Sequence, residues 1–258
     1  LYDSERKLFS IGYDGDRCEM SSSWYDLLAS EARLTSLVAI ALGQVEHKHW
    51  FSLGRLMAPV CGRSLVSWSG TMFEYLMPVI FTGAVPGTLL NESYDSAVKA
   101  QRRYSGGQIW GISESGYYAF DRGMYYQYRA FGIQRLSLTG QRQERVISPY
   151  STLLALHIAP KAAMNNLQRL NELGALGLYG MYEAVDYAQK RLTQDKDYMM
   201  VKSYMAHHQG MGICSIANAL KENVLSGYFW RVPELGAVRI LNEERVPSYG
   251  IGIKALHS

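Results

Sequence analysis

Cysteine is scarce in this chain: Cys18, Cys61 and Cys214 are the three among 258 residues. An odd set without CxxC or Cys/His finger spacing argues against a disulfide framework and a structural zinc site, and fits a reducing compartment. No apolar run approaches the roughly 20 residues needed to cross a bilayer. The first residues, Leu1-Tyr2-Asp3-Ser4-Glu5-Arg6-Lys7, are neither an initiator methionine nor a signal peptide, and read as a cut from something longer. Charge of one sign is also lacking. The net charge is +3 with Lys and Arg scattered, so nucleic acid is not an expected partner. Neither a GxSxG elbow nor a Gly-rich phosphate loop occurs, which disfavours the hydrolase and nucleotide-binding classes built on them.

What is present is an ordinary globular balance, 48% hydrophobic and 19% charged, long enough for one large domain over 1–247. Nineteen tyrosines and five tryptophans suit a cleft that must meet both the apolar faces and the hydroxyls of a sugar, although many will be core residues. Leu8 to Tyr13 reads as a short strand, and Ser21-Ser22-Ser23 offers N-caps for a helix over 24–42 with Leu27, Leu34, Val38 and Ala41 as its apolar stripe. Further helices are expected at about 46–53, 71–81, 90–104, 150–158, 160–173, 203–221 and 233–245, with Pro149, Pro160 and Pro233 near first turns. The β-like pieces at 64–68, 108–113 and 135–138 are too brief for a βαβ series. A mainly helical domain with several hairpins is the fold class this pattern supports. The tail over 248–258 reads as a loose appendage.

The segment Trp110-Gly111-Ile112-Ser113-Glu114-Ser115-Gly116-Tyr117-Tyr118 sets one carboxylate among small residues and aromatic rings with no basic partner within it. Such a carboxylate can serve a glycosidic bond as nucleophile, acid or base, or it is a solvated glutamate at a strand end. Glycoside cleavage needs two carboxylates in different environments. Glu31, on the apolar face of the 24–42 helix, is the expected partner, with burial raising its pKa while Glu114 stays ionised among donors. The alternative for Glu31 is an ion pair with Arg33 or Arg129. Glu183 and Asp186 share one face if their segment is helical, and either bind hydroxyls or stabilise a helix N-terminus. Glu74 sits on an apolar helix, where a buried structural partner is the alternative. His207 and His208, adjacent on a helix, point about 100° apart and do not readily share a metal, so no metal or cofactor is expected.

The blocks Tyr2 to Tyr13, Tyr25 to Arg33, Trp68 to Pro78, Trp110 to Ser115, Tyr126 to Gly132, Tyr182 to Tyr187 and Ser203 to Met211 together resemble the glycoamylase-like domain of cyclic β-1,2-glucan synthase. The resemblance runs to about residue 247. It implies an (α/α)6 toroid related to endo-β-1,2-glucanases, incomplete at its N-terminal side, that closes linear β-1,2-glucan into a ring by retaining transglycosylation. It also implies Glu31 as acid/base and Glu114 as nucleophile. Trp68, Glu74, Trp110, Tyr117 and Arg129 are expected substrate contacts, as are Glu183, Asp186, His207 and His208. The implied setting is a larger, membrane-associated, multidomain chain with its catalytic domains on the cytoplasmic side of the inner membrane. A free-standing endo-β-1,2-glucanase, periplasmic in that case, is the close alternative. A catalytically silent glucan-binding module is the rival from another class.

Overall fold

In the computed structural model, which describes residues 1–140 and 144–245, helices of very unequal length alternate with two- to six-residue strands. The chain opens on a three-stranded antiparallel sheet, with Leu8–Ser10 between Tyr2–Asp3 and Trp24–Tyr25. The helix expected over 24–42 is therefore shorter. Its first part is strand and turn, because Trp24 and Tyr25 pair with Ser10 and Phe9, and α1 covers only Arg33–Ala41. Its buried face is Arg33, Ser36, Leu37, Ala39 and Ile40 rather than the stripe of Leu34, Val38 and Ala41, and Glu31 lies in the turn before it.

Short α2 (Lys48–Ser52) comes next. The helix expected at 71–81 is two, α3 (Met72–Leu76) and α4 (Val79–Thr82), separated at Pro78, whose ring removes a backbone donor. Thr71 starts α3 as a capping box with Glu74. The 16-residue α5 (Leu89–Tyr104) begins where Thr88 Oγ1 accepts the Asn91 N–H at 3.2 Å, and it buries Leu90, Tyr94, Ala97 and Val98. Pro149, Pro160 and Pro233 each occupy the first turn of a helix, α6 (Pro149–Leu154), α7 (Pro160–Glu172) and α10 (Pro233–Val238), as their fixed φ favours. Between the last two lie α8 (Ala206–Leu220) and α9 (Val224–Arg231). Helix α9 has no sequence expectation behind it.

Helix packs on helix through most of the core: α6 on α8, α6 on α7, α4 on α9 and α1 on α10. Gly212 lets α6 and α8 meet closely, since a Cβ there would lie 2.7 Å from Leu153 Cδ1. Two strand pairings were not legible in the sequence. Ser115–Phe120 and Tyr126–Arg129 form a hairpin in which Ser115 faces Arg129 and Gly116 faces Tyr128. Ala184–Asp186 is the central strand of a buried three-stranded sheet, between Val146–Ile147 and Met199–Val201, so Glu183 and Asp186 are not one face of a helix. The expected strand at 135–138 is instead a turn of 3₁₀ helix over Gln134–Leu136. Among the described residues no helix is long and apolar enough to cross a membrane. The tail over 248–258 lies outside the described residues.

Two glycines join the loop ahead of α3 to the segment just after the 115–129 hairpin. Gly70, at φ +72°, and Gly132 bring the two backbones together, with Ile133 N donating to Gly70 O at 2.8 Å. A Cβ on Gly132 would sit 2.0 Å from Ser69 O, against backbone that has no rotamer to yield. Gly132→Ala is expected to destabilise the protein by about 2–4 kcal/mol, read as a lower midpoint in urea unfolding.

Candidate functional site

The first 70-odd residues and the start of the 115–129 hairpin enclose a cleft of about 410 Å³. Each wall comes from a different local structure. The N-terminal sheet brings Trp24 and Tyr25, the turn before α1 brings Glu31, the loop into α3 brings Trp68, Ser69 and Glu74, and the residue ahead of the hairpin brings Glu114. Both carboxylates singled out from the sequence thus face one space, although 83 residues separate them in the chain. A larger hollow of about 600 Å³, walled by Cys61, Arg103, Tyr104 and Arg135 among others, has no carboxylate in its walls.

The two carboxylates differ in surroundings, but not in the way their neighbours in sequence imply. Burial pushes the Glu114 carboxyl above the ordinary carboxylate range, and the negative charges of Glu31 and Glu183 push the same way. The Tyr128 hydroxyl, donating to Glu114 Oε1 at 2.9 Å, and the nearby His208 oppose that rise. The serines beside Glu114 do not supply the expected donors: Ser113 Oγ bonds Tyr150 and the Phe73 N–H, and Ser115 is buried. Glu31 accepts from Ser30 Oγ at 3.2 Å and is half-buried in its turn rather than on a helical face. Arg33, its suggested ion partner, points elsewhere, onto the carbonyls of Ser30, Glu74 and Tyr75. Arg129 lies 3.9 Å from Glu144.

Glu74 reaches the cleft wall yet is held as a structural group. Its Oε2 accepts from Ser67 Oγ, Thr71 N and Thr71 Oγ1, and its Oε1 from Ser69 N, all within 3.0 Å. Trp68 is 42% exposed, with Nε1–H donated to Asp26 Oδ1 at 2.8 Å, which fixes its ring as a platform at the cleft. Such a ring suits the apolar face of a sugar.

The structure separates the other expected contacts from this cleft. Trp110 is a core residue, 5% exposed, whose backbone N and O both bond the Asn166 side chain. Tyr117 stands edge-on to Phe131 under the Arg191 guanidinium, 4.8 Å from the ring centre. Asp186 is fully buried, paired with Arg191 and accepting the Tyr118 N–H at 2.9 Å, which is ample structural cause for its charge. Arg129 lies over Phe131. None of the four is among the walls of the cleft. His207 and His208 do not diverge as adjacent helical residues were expected to, their ring centres being 4.0 Å apart in the first turn of α8.

His208 and Glu183 lie behind the cleft instead. Both are buried, with His208 Nδ1 2.9 Å from Glu183 Oε2 and Nε2 3.3 Å from the Tyr128 hydroxyl. Tyr150 stacks flat on the His208 ring at 3.7 Å and donates its hydroxyl to Glu114 O at 3.0 Å. Tyr128, Tyr150 and Asp26 are the residues that sequence reasoning missed. The hairpin register brings Tyr128 beside Glu114, and no local pattern signals that pairing.

A mainly helical fold with two carboxylates in an aromatic-walled cleft defines a glycosidase-like domain. The chain belongs to the Glycoamylase family, whose profile matches residues 23–233. It is 43% identical over 251 residues to cyclic beta-(1,2)-glucan synthase NdvB of Rhizobium meliloti (strain 1021), an alignment covering 96% of this chain and 9% of that protein. The chain thus spans about a tenth of that relative's length. Among solved structures it superposes on endo-beta-1,2-glucanase from Chitinophaga pinensis, in complex with sophorotriose and glucose, with a TM-score of 0.66 at 16% identity, over 93% of this chain and 60% of that one. Beta-1,2-glucanase from Parabacteroides distasonis matches at TM-score 0.51 and 18% identity, over 86% of this chain and 31% of that one. At such identities the likeness shows the fold.

Proposed function

We infer that the chain is the β-1,2-glucan-acting catalytic part of a cyclic β-1,2-glucan synthase, closing linear glucan into rings by retaining transglycosylation. The observation that carries this reading is the convergence of Glu31 and Glu114 on one cleft beside the Trp68 platform, in a chain 43% identical to NdvB. The helices would form most of an (α/α)6 toroid, with the remainder of the synthase contributing the other walls and the attachment to the cytoplasmic face of the inner membrane.

In the mechanism, one carboxylate attacks the anomeric carbon while the other protonates the departing oxygen, giving a glycosyl-enzyme. The second then takes a proton from the chain's own terminal hydroxyl, which attacks in place of water. Holding that hydroxyl beside the intermediate gives it a high effective concentration. The resemblance makes Glu31 the acid/base. It makes Glu114 the nucleophile, held in place by the Tyr128 hydroxyl that donates to its Oε1 at 2.9 Å.

The test is incubation of the full-length parent with linear β-1,2-glucan and mass measurement of the products. Rings, lighter by one water than linear chains of equal length, are the expected result. Shorter linear chains would instead make the domain an endo-β-1,2-glucanase, and unchanged substrate would leave a binding module.

A further inference from the structure

The hollow walled by Cys61, Arg103, Tyr104 and Arg135 holds none of the groups that the glucan reaction uses. Its volume of about 600 Å³ falls within the roughly 300–1,000 Å³ of small-molecule sites. The floor is apolar, since Val60, Ala100 and Ile133 are buried there. The rim is cationic. Among the described residues, neither the Arg103 nor the Arg135 guanidinium has a hydrogen-bond, ion-pair or ring partner, and no carboxylate stands in the walls to neutralise them. Cys61, on the same rim, is held at φ +52°, a left-handed backbone that costs free energy outside glycine and that concentrates at ligand sites.

The helix dipole favours a cation in the last turn of α5, which accounts for Arg103 but not for Arg135, on the separate 3₁₀ turn over Gln134–Leu136. Lys99, one turn before Arg103, adds charge of the same sign. The negative end of α5 does not oppose an anion here. Its last carbonyls, Gln101 O, Arg102 O and Arg103 O, already accept from Ser105 N, Ser105 Oγ and Gly106 N. A neutral sugar would not satisfy such a rim, because hydroxyls donate as well as accept and guanidinium groups only donate. An oxyanion would, since its oxygens accept in the planar fork that arginine presents.

We propose that this hollow binds a small organic oxyanion, a phosphate or carboxylate on a sugar-sized body. Arg103 and Arg135 hold the oxyanion, and the body lies on the apolar floor beside the Tyr104 ring. The site borders the catalytic cleft without joining it. Residues 133–138 are bonded to 67–70 through Ile133 N to Gly70 O at 2.8 Å, Ser67 N to Leu136 O at 3.0 Å and Leu138 N to Ser67 O at 2.9 Å. Trp68 of the cleft and Arg135 of the hollow therefore stand on one pair of bonded segments.

The experiment follows alkylation of Cys61 by iodoacetamide in the full-length parent, read peptide by peptide in a mass spectrometer at constant ionic strength. Cys18 and Cys214, which are not in the walls of the hollow, serve as controls. Glucose 6-phosphate and glucuronate are the probes, one for each oxyanion, and glucose is the neutral comparison. An anion at about ten times its Kd should slow Cys61 alkylation about tenfold, with Cys18 and Cys214 unaffected and glucose without effect. Whichever probe protects identifies the oxyanion. The ratio of rates with and without that probe should return to unity in protein carrying both Arg103→Ala and Arg135→Ala; both side chains are exposed and outside the cleft, so the core is left intact. The proposal is overturned by protection that survives in that variant, by equal protection from glucose, or by no protection at about 10 mM, where a millimolar site would be roughly nine-tenths filled. A Cys61 that resists alkylation in the folded parent without any probe overturns it as well, because another part of that protein then closes the hollow. No step reads glucan turnover, so the outcome is independent of the functional reading.

Discussion

Glu114→Gln is expected to cut turnover of linear β-1,2-glucan by about 10³-fold, with KM changed little, because the amide keeps the shape of the carboxyl and loses the nucleophilic oxygen. Glu31→Gln is expected to be equally inactive through the other half of the reaction. The two losses can be told apart by adding azide to Glu31→Ala and Glu114→Ala. With Glu114 as nucleophile, azide fills its place in Glu114→Ala and yields a glycosyl azide of inverted configuration. With Glu31 as acid/base, azide attacks the intermediate in Glu31→Ala and the product is of retained configuration. The opposite pattern would reverse the order implied by the resemblance. Glu114→Gln has a second expected effect, on stability. A carboxyl whose folded pKa is raised binds its proton more tightly in the folded state, so stability falls as pH rises from the unfolded value through the folded one. The Gln variant escapes that loss. Its Tm should exceed that of the wild type at neutral pH, and the difference should close at acid pH; equal Tm values at pH 7 would mean that Glu114 is not held in an unfavourable ionised state.

Arg33→Met is expected to destabilise the protein by about 3 kcal/mol, a fall in Tm of roughly 6–12 °C. The guanidinium is 2% exposed and donates to Ser30 O at 2.8 Å, Glu74 O at 2.8 Å, Tyr75 O at 2.7 Å and the Tyr94 hydroxyl at 3.1 Å. Its role comes from Pro78. In a continuing helix the Glu74 carbonyl would accept from the backbone N–H of residue 78, and proline has none. Arg33 fills that place and so ties the end of α3 to the turn that carries Glu31. Methionine matches much of the volume but removes the side-chain donors of the Glu74 and Tyr75 carbonyls, while Ser30 O keeps the backbone N–H of residue 33 at 3.3 Å. Arg33→Lys should recover only part of the loss, since a single ammonium cannot span the same fork. Thermal unfolding by circular dichroism measures both variants, and a Tm within about 2 °C of the wild type for Arg33→Met would show that water or backbone adjustment satisfies those carbonyls.

Much of the helical framework was legible because its signals are local. The prolines at 149, 160 and 233 open helices where their fixed φ suits a first turn, and α5 and α7 match their apolar spacing to within a few residues. The helix over 24–42 failed at its start because Trp24 and Tyr25 pair with Phe9 and Ser10, and ladder bonds to another segment outweigh intrinsic propensity. The 183–186 segment failed for the same reason, as the middle strand of a sheet whose neighbours lie elsewhere in the chain.

The site divides along the same line. The residues themselves determined the chemistry on offer: Glu31 and Glu114 as carboxylates in blocks that resemble one family, and Trp68 as an aromatic face. Tertiary structure decided which of the candidates meet. It set Glu31, Trp68 and Glu114 around one cleft, drew Trp110 and Asp186 into the core, and put Tyr128 and His208 behind Glu114. It also pushed the Glu114 carboxyl up, because desolvation and the charges of Glu31 and Glu183 depend on distances through space. A sequence states which groups titrate and how helices start. Burial and non-local pairing, which fix what those groups do, exist only once the chain has folded.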